Sequence, residues 1–195
     1  GLIFYPPSPR YVANPNKIVS ILKTRQDCKL VGVFVNEDKD RIMHLHRSLE
    51  FDFIQLHGQE STETASYFKN EGIGVIKAFG IDESFDFSIL ESYQGFVDFF
   101  VFDYKTSGHG GSGKKFDWSI LTNYKGSTPF LLSGGIKPSD KPAIKHPAFA
   151  GIDINSGFEI EPGIKNTRDI QDFKIKFEMT NKKIHPDKNG YYGDF

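Results

Sequence analysis

The 195-residue sequence carries 24 basic and 25 acidic side chains, a formal net charge of −1, and 38% hydrophobic residues. That length and apolar content suit one domain with a sizeable core, and the near-neutral balance leaves no basic excess for a nucleic-acid or anionic-membrane partner. The longest apolar runs, such as Phe99–Phe102, are strand-sized, far short of the ~18 residues a membrane span requires.

In chain order, short β-rich apolar runs predict strands at Leu2–Tyr5, Leu30–Asn36, Phe51–His57, Gly74–Phe79, Phe99–Tyr104, Pro129–Ser133 and Gly151–Asn155. Stretches of helical period predict helices near Asn16–Arg25, Glu37–Leu49, Thr62–Asn70, Phe87–Tyr93, Trp118–Asn123, Pro138–Lys145 and Asp169–Phe177. The strands are nearly continuous in apolar residues, as in sheets buried on both faces. Repeated strand–helix units predict parallel βαβ construction, either a barrel or an open doubly wound sheet. An eight-stranded barrel needs one strand more than these runs supply, and the chain opens inside a strand at Gly1-Leu-Ile-Phe. A fragment lacking its first β/α unit is therefore expected. Residues 1–178 are read as the strand–helix domain, and 179–195, polar and rich in turn formers, as a tail or the start of a second unit. No signal-peptide pattern opens the chain, and a single cysteine, Cys28, excludes an internal disulfide and a cysteine-based zinc site. A cytoplasmic soluble protein is the expectation.

Polar and glycine-rich residues follow the strands, an asymmetry shared by barrels and open parallel sheets. Two turns, Ser133-Gly134-Gly135-Ile136 and Asn155-Ser156-Gly157-Phe158, follow the last two strands. Glycine lets backbone N–H groups approach a phosphate closely. Either turn alone reads as a tight turn; the pair, in places where barrels frequently hold phosphate, favours an anion cradle. Asp103 ends an apolar strand, where a carboxyl serves either as a general acid or as a cap on the next loop. Arg10 offers a planar fork for a carboxylate, or an ordinary surface ion pair. Gln55 and His57, two apart, share one strand face, as substrate contacts or as a structural pair. Asp153 and Asn155 repeat that spacing beside the second turn and suit sugar hydroxyls. The loop holding Gly110, Gly111 and Gly113 lacks the order of a nucleotide P-loop and reads as a substrate-covering loop. Cys28, ahead of a strand, reads as a small packing residue.

Read together, Gly1–Val12, Val31–Asn36, Gln55–Gly58, Val75–Ala78, Gly110–Lys114, Phe116–Trp118, Ser133–Gly135, Asp153–Glu159 and Pro162-Gly163 resemble, in order and spacing, the phosphoribosylanthranilate isomerases of tryptophan biosynthesis. The resemblance implies an α/β fold, a (β/α)8 TIM barrel incomplete in this chain. It also implies an Amadori rearrangement of a small phosphosugar, N-(5-phosphoribosyl)anthranilate, without metal or cofactor. Asp103 matches the general acid that protonates the ribose ring oxygen. Arg10 matches the residue facing the anthranilate carboxylate, Gly134, Gly135, Ser156 and Gly157 match the phosphate site, and Asp153 matches a position near the sugar. Departures also show. The family's general base, a cysteine in a Lys-x-Cys-Gly stretch, has no counterpart, so the fragment is expected to be inactive alone. Tyr104 and Asn155 stand where a small hydroxyl residue and a serine are common. Lys188–Phe195 resembles the opening of tryptophan synthase β chains, which implies a fusion to or association with such a chain, or a reading-frame artefact. Alternatives are a non-catalytic phosphate-binding barrel, or another phosphosugar barrel such as indole-glycerol-phosphate synthase, whose early-strand lysine and glutamate residues are not seen.

Overall fold

The computed structural model describes residues 1–19, 28–105 and 116–184. Strands β1 (Leu2–Ile3), β2 (Val31–Phe34), β3 (Phe53–Leu56), β4 (Gly74–Ile81), β5 (Phe99–Tyr104), β6 (Phe130–Leu132) and β7 (Phe149–Ile152) are hydrogen-bonded in chain order. Pairing is parallel from β1 to β4 and from β5 to β7, so each strand is followed by a crossover. The chain divides into two compact units, the first formed by Gly1–Ala78 with Ser92–Phe99, the second by Phe79–Glu91 with the chain from Phe100 onward. No described helix is long and apolar enough to cross a membrane.

In the first unit, helix α1 (Lys39–Leu49) buries Ile42, Met43, Leu45 and Leu49 on one face. Asp38 caps its start by accepting the Asp40 and Arg41 N–H groups, and Glu50 ends it in the left-handed conformation at φ 52°. Helix α2 (Thr62–Asn70) buries Ala65 and Phe68. Phe4 stacks on Phe34 at 5.3 Å, and Phe51 meets Phe34 edge-on at 5.9 Å. These rings join the loop after β1, the end of β2 and the approach to β3.

The second unit is built on aromatic side chains. Phe100 and Phe102 of β5, Phe130 of β6 and Phe149 of β7 are fully buried. Tyr124 packs edge-on against Phe100, Phe102 and Phe130. Such pairs contribute about 0.5–1.5 kcal/mol each beyond the area they bury. Helix α3 (Thr167–Ile184) closes this core, with Phe173 edge-on to Phe158 at 5.0 Å.

Several expectations are corrected. Pro138–Lys145 forms no helix, because Pro142 removes a donor and disfavours helical backbone at Lys141. Phe87–Tyr93 and Trp118–Asn123 are 3-10 rather than α helices. The last strand begins at Phe149 and ends at Ile152, so Asp153 and Asn155 lie in the loop beyond it. An antiparallel hairpin, β8 (Glu159–Glu161) with β9 (Ile164–Lys165), follows unannounced. Helix α3 continues past Phe177 and across residue 179, where fully buried Asn181 donates to Pro142 O at 3.1 Å and Phe177 O at 3.0 Å. Of the Asn16–Arg25 helix, the described part holds a 3-10 turn at Pro15–Lys17 and α-helical backbone at Val19. Residues 20–27, 106–115 and 185–195 lie outside the described structure.

Candidate active site

Three of the second unit's strands end side by side, and the candidate site is built at and just beyond those ends. Asp103, half-buried near the end of β5, accepts the Tyr104 N–H at 2.8 Å through Oδ1. Gly134, just after β6, passes against it in the left-handed region (φ 90°). A Cβ there would lie 2.5 Å from Tyr104 N and 2.8 Å from Asp103 Oδ1. Only glycine fits both the dihedral and the gap, so the carboxyl abuts the first turn.

The second turn backs onto the first. Gly157 approaches so closely that a Cβ would stand 2.1 Å from Ile136 O. Buried Ser133 donates its hydroxyl to Asp153 Oδ2 at 3.2 Å, which ties the end of β6 to the loop after β7. Phe158 is buried and donates its N–H to Asn155 O at 3.0 Å, anchoring the Ser156–Phe158 turn from below. Asp103, Gly134, Gly135, Asp153, Ser156 and Gly157 are therefore gathered within one unit: a carboxyl beside two turns stripped of bulky side chains. That arrangement suits an anion bound by backbone donors next to a group that can transfer a proton.

The remaining sequence-selected residues lie elsewhere. Arg10 belongs to the first unit, in the loop after β1, where its N–H donates to Ser8 Oγ at 3.1 Å. Gln55, buried, places Nε2 at 2.8 Å from His57 Nδ1. The amide nitrogen only donates, so Nδ1 accepts and the imidazole carries its proton on Nε2. The two side chains therefore meet, as their spacing suggests. Gly110, Gly111 and Gly113 lie outside the described residues. Cys28 is exposed, not packed; burial begins only at Leu30.

Sequence reasoning missed a buried ion pair. Lys77 and Glu60 have side chains only 2% and 4% exposed, with Nζ 3.2 Å from Oε2. Nζ also contacts Leu56 O at 3.2 Å, Gly58 O at 2.8 Å and Ala78 O at 3.0 Å, so three protons are shared among four acceptors. Glu60 Oε1 in turn accepts Asn36 N–H at 2.8 Å, and Oε2 accepts Gly58 N–H at 2.9 Å. The pair ties the chain just after β2 and the end of β3 to β4 itself. Burial pushes the Lys77 pKa down, and the Glu60 carboxylate pulls it back up. The available signal was a lysine inside the apolar run Val75-Ile-Lys-Ala, which demands a buried partner.

An open cleft of about 600 Å³ sits over the same loops, lined among others by Glu37, Asp38, Asp40 and Glu60. Its carboxylates oppose a phosphorylated substrate.

Comparison with known proteins gives the same direction. The family model described as N-(5'phosphoribosyl)anthranilate (PRA) isomerase matches residues 1–175. The N-(5'-phosphoribosyl)anthranilate isomerase of Parabacteroides distasonis is 48% identical over 177 residues, covering 89% of this chain and 80% of that protein. The crystal structure of phosphoribosyl anthranilate isomerase from Thermotoga maritima is 33% identical, with a TM-score of 0.80 over 92% of this chain and 87% of that one. A further solved isomerase, 29% identical with a TM-score of 0.76 over 92% and 86% of the two chains, is in complex with reduced 1-(o-carboxyphenylamino)-1-deoxyribulose 5-phosphate. The choice between barrel and open sheet thereby falls to the (β/α)8 TIM-barrel class, with seven parallel-type strands in this chain's sheet among the described residues. With a family pattern running from the first strand to the last helix, and a relative nearly half identical along it, this chain belongs to the phosphoribosylanthranilate isomerases.

Proposed function

We propose that the chain carries the proton-donating and phosphate-holding part of the isomerase reaction of tryptophan biosynthesis. The substrate is N-(5'-phosphoribosyl)anthranilate and the product 1-(2-carboxyphenylamino)-1-deoxyribulose 5-phosphate. The observation that carries this reading is the fit of Gly134 against Asp103 Oδ1, with Gly157 seated on Ile136 O behind it. A 5'-phosphate held by Gly134, Gly135, Ser156 and Gly157 brings the attached ribose toward the carboxyl. Protonated Asp103 gives its proton to the ring oxygen as the C1'–O bond breaks. The anthranilate nitrogen lone pair then forms a C=N bond to C1'. A base removes the C2' proton, the electron pair moves toward nitrogen, and the resulting enolamine becomes the aminoketose. No atom is gained or lost.

In this reading Asp153 lies near the sugar, and the resemblance and strand spacing keep Arg10 for the anthranilate carboxylate and Gln55 and His57 as substrate-binding residues. The base is the weak point, because no Lys-x-Cys-Gly stretch occurs in these 195 residues. Cys28 is exposed and lies ahead of β2, away from that strand's far end at Phe34. The 195 residues alone are therefore expected to bind product and show no turnover. The likeness of Lys188–Phe195 to tryptophan synthase β supports a fusion or association with that chain, in the cytoplasm.

The test is to supply a cysteine-bearing strand and helix ahead of Gly1 and measure kcat. Turnover should appear, and Asp103→Asn should then lower it about 10²–10⁴-fold, the usual contribution of a positioned acid. Undiminished turnover in Asp103→Asn removes the acid role from that residue.

A further inference from the structure

The β8–β9 hairpin holds a cation against the second glycine turn. Lys165, on β9, donates through Nζ to Asn155 Oδ1 and, at 2.6 Å, to Glu159 Oε1. Glu159 is the anchor: its side chain is 4% exposed against 36% for Lys165, and its Oε1 also accepts the Gly163 N–H at 3.2 Å. Asn155 is the residue immediately before Ser156–Gly157, and its own carbonyl accepts the Phe158 N–H that closes this turn. A fixed chain of contacts thus runs from a buried carboxylate, through an ammonium, to the residue that launches the turn.

We propose that Lys165 is a positioning residue for phosphate, holding the Ser156–Gly157 turn in its anion-binding shape through Asn155. This rests on the reading of the two glycine turns as a phosphate cradle. Glu159 largely neutralises the ammonium, so the effect on the bound anion comes from the placement of the turn more than from added charge. Arginine keeps a fork of donors able to reach both oxygens, whereas an apolar chain of similar length leaves Asn155 unheld and Glu159 buried without its cation.

The experiment is calorimetric titration of the full chain with inorganic phosphate, with the thermal midpoint of each variant measured alongside. Lys165→Met is expected to weaken phosphate about 10-fold, the scale of one charge-assisted hydrogen bond, and Lys165→Arg to restore most of it. Asn155→Ala cuts the same tether while leaving the Glu159–Lys165 pair intact. It is expected to weaken phosphate with an unchanged midpoint. Wild-type affinity in both Lys165→Met and Asn155→Ala overturns the inference while the cradle stands. Weakening that tracks a fall in midpoint in both variants, without rescue by arginine, overturns it in favour of a purely structural hairpin. A wild-type chain that binds no phosphate takes the cradle, and the inference with it.

Discussion

The two units secure the chain at their strand ends by different means. In the first unit, backbone groups of Asn36, Leu56, Gly58 and Ala78 converge on the side chains of Glu60 and of Lys77, the latter within β4. In the second unit Gly134, just after β6, presses on Asp103 near the end of β5, and Gly157, after β7, presses on Ile136. The first arrangement uses the local donors and acceptors to satisfy a buried charge pair. The second fills the places where side chains would stand with neighbouring atoms, so the turns carry no bulky side chain, and an anion bound by backbone donors suits that kind of surface. Rigidity comes from ions in one unit and from close backbone contact in the other.

That contrast breaks most visibly at the ion pair. Glu60→Ala strands the Lys77 ammonium in the interior and should destabilise the fold by about 3–5 kcal/mol, read from the urea midpoint. Lys77→Met with Glu60→Leu should recover much of this loss, since well-packed apolar replacements of a buried pair are often near neutral. A double variant as unstable as the sum of the singles would show that the tethered loops, not the pair, set the stability.

A milder perturbation is expected at the glycine turns. Gly157→Ala places a methyl where Ile136 O stands and should lower stability by about 1–3 kcal/mol, together with loss of phosphate binding. Retained phosphate affinity in a folded Gly157→Ala would detach the turn from the ligand. Asn181→Ala leaves Pro142 O without its amide donor at the end of the core and should lower stability by about 1–3 kcal/mol without touching phosphate.

The smallest effect is a pH slope at His46. Its Nδ1 is buried with no hydrogen-bond partner among the described residues. Burial holds its pKa below the usual 6.5, opposed by Glu50. The unfolded chain thus takes up the proton first as pH falls. The stabilising effect of a neutral His46 is full above about pH 6.5 and lost progressively as pH drops toward the depressed folded value. Replacement by leucine should flatten that slope in denaturation curves measured between mildly acidic and neutral pH.

Much of this was legible in the residues because it rests on local periodicity. The strand Phe99–Tyr104 and the helix Thr62–Asn70 appear at the ends read from the sequence. Asp103, Gly134 and Gly157 were readable because chemistry follows strands in parallel folds. What escaped depends on partners distant along the chain. The Glu60–Lys77 pair spans seventeen positions, and no periodicity records it. The continuation of α3 relies on Asn181 bonding to Pro142, so a polar residue does the work expected of an apolar one. Pro138–Lys145 shows the opposite error, an apolar pattern overruled by proline chemistry.

The central claim is that two glycine turns form one anion site beside Asp103, and amide chemical shifts during titration with inorganic phosphate test it most directly. The expected result is that Gly134, Gly135, Ser156 and Gly157 shift together along one binding curve, with Asp103 and Tyr104 following. Shifts confined to a single turn, or centred on the Asn36 to Ser61 cleft of the first unit, would contradict it.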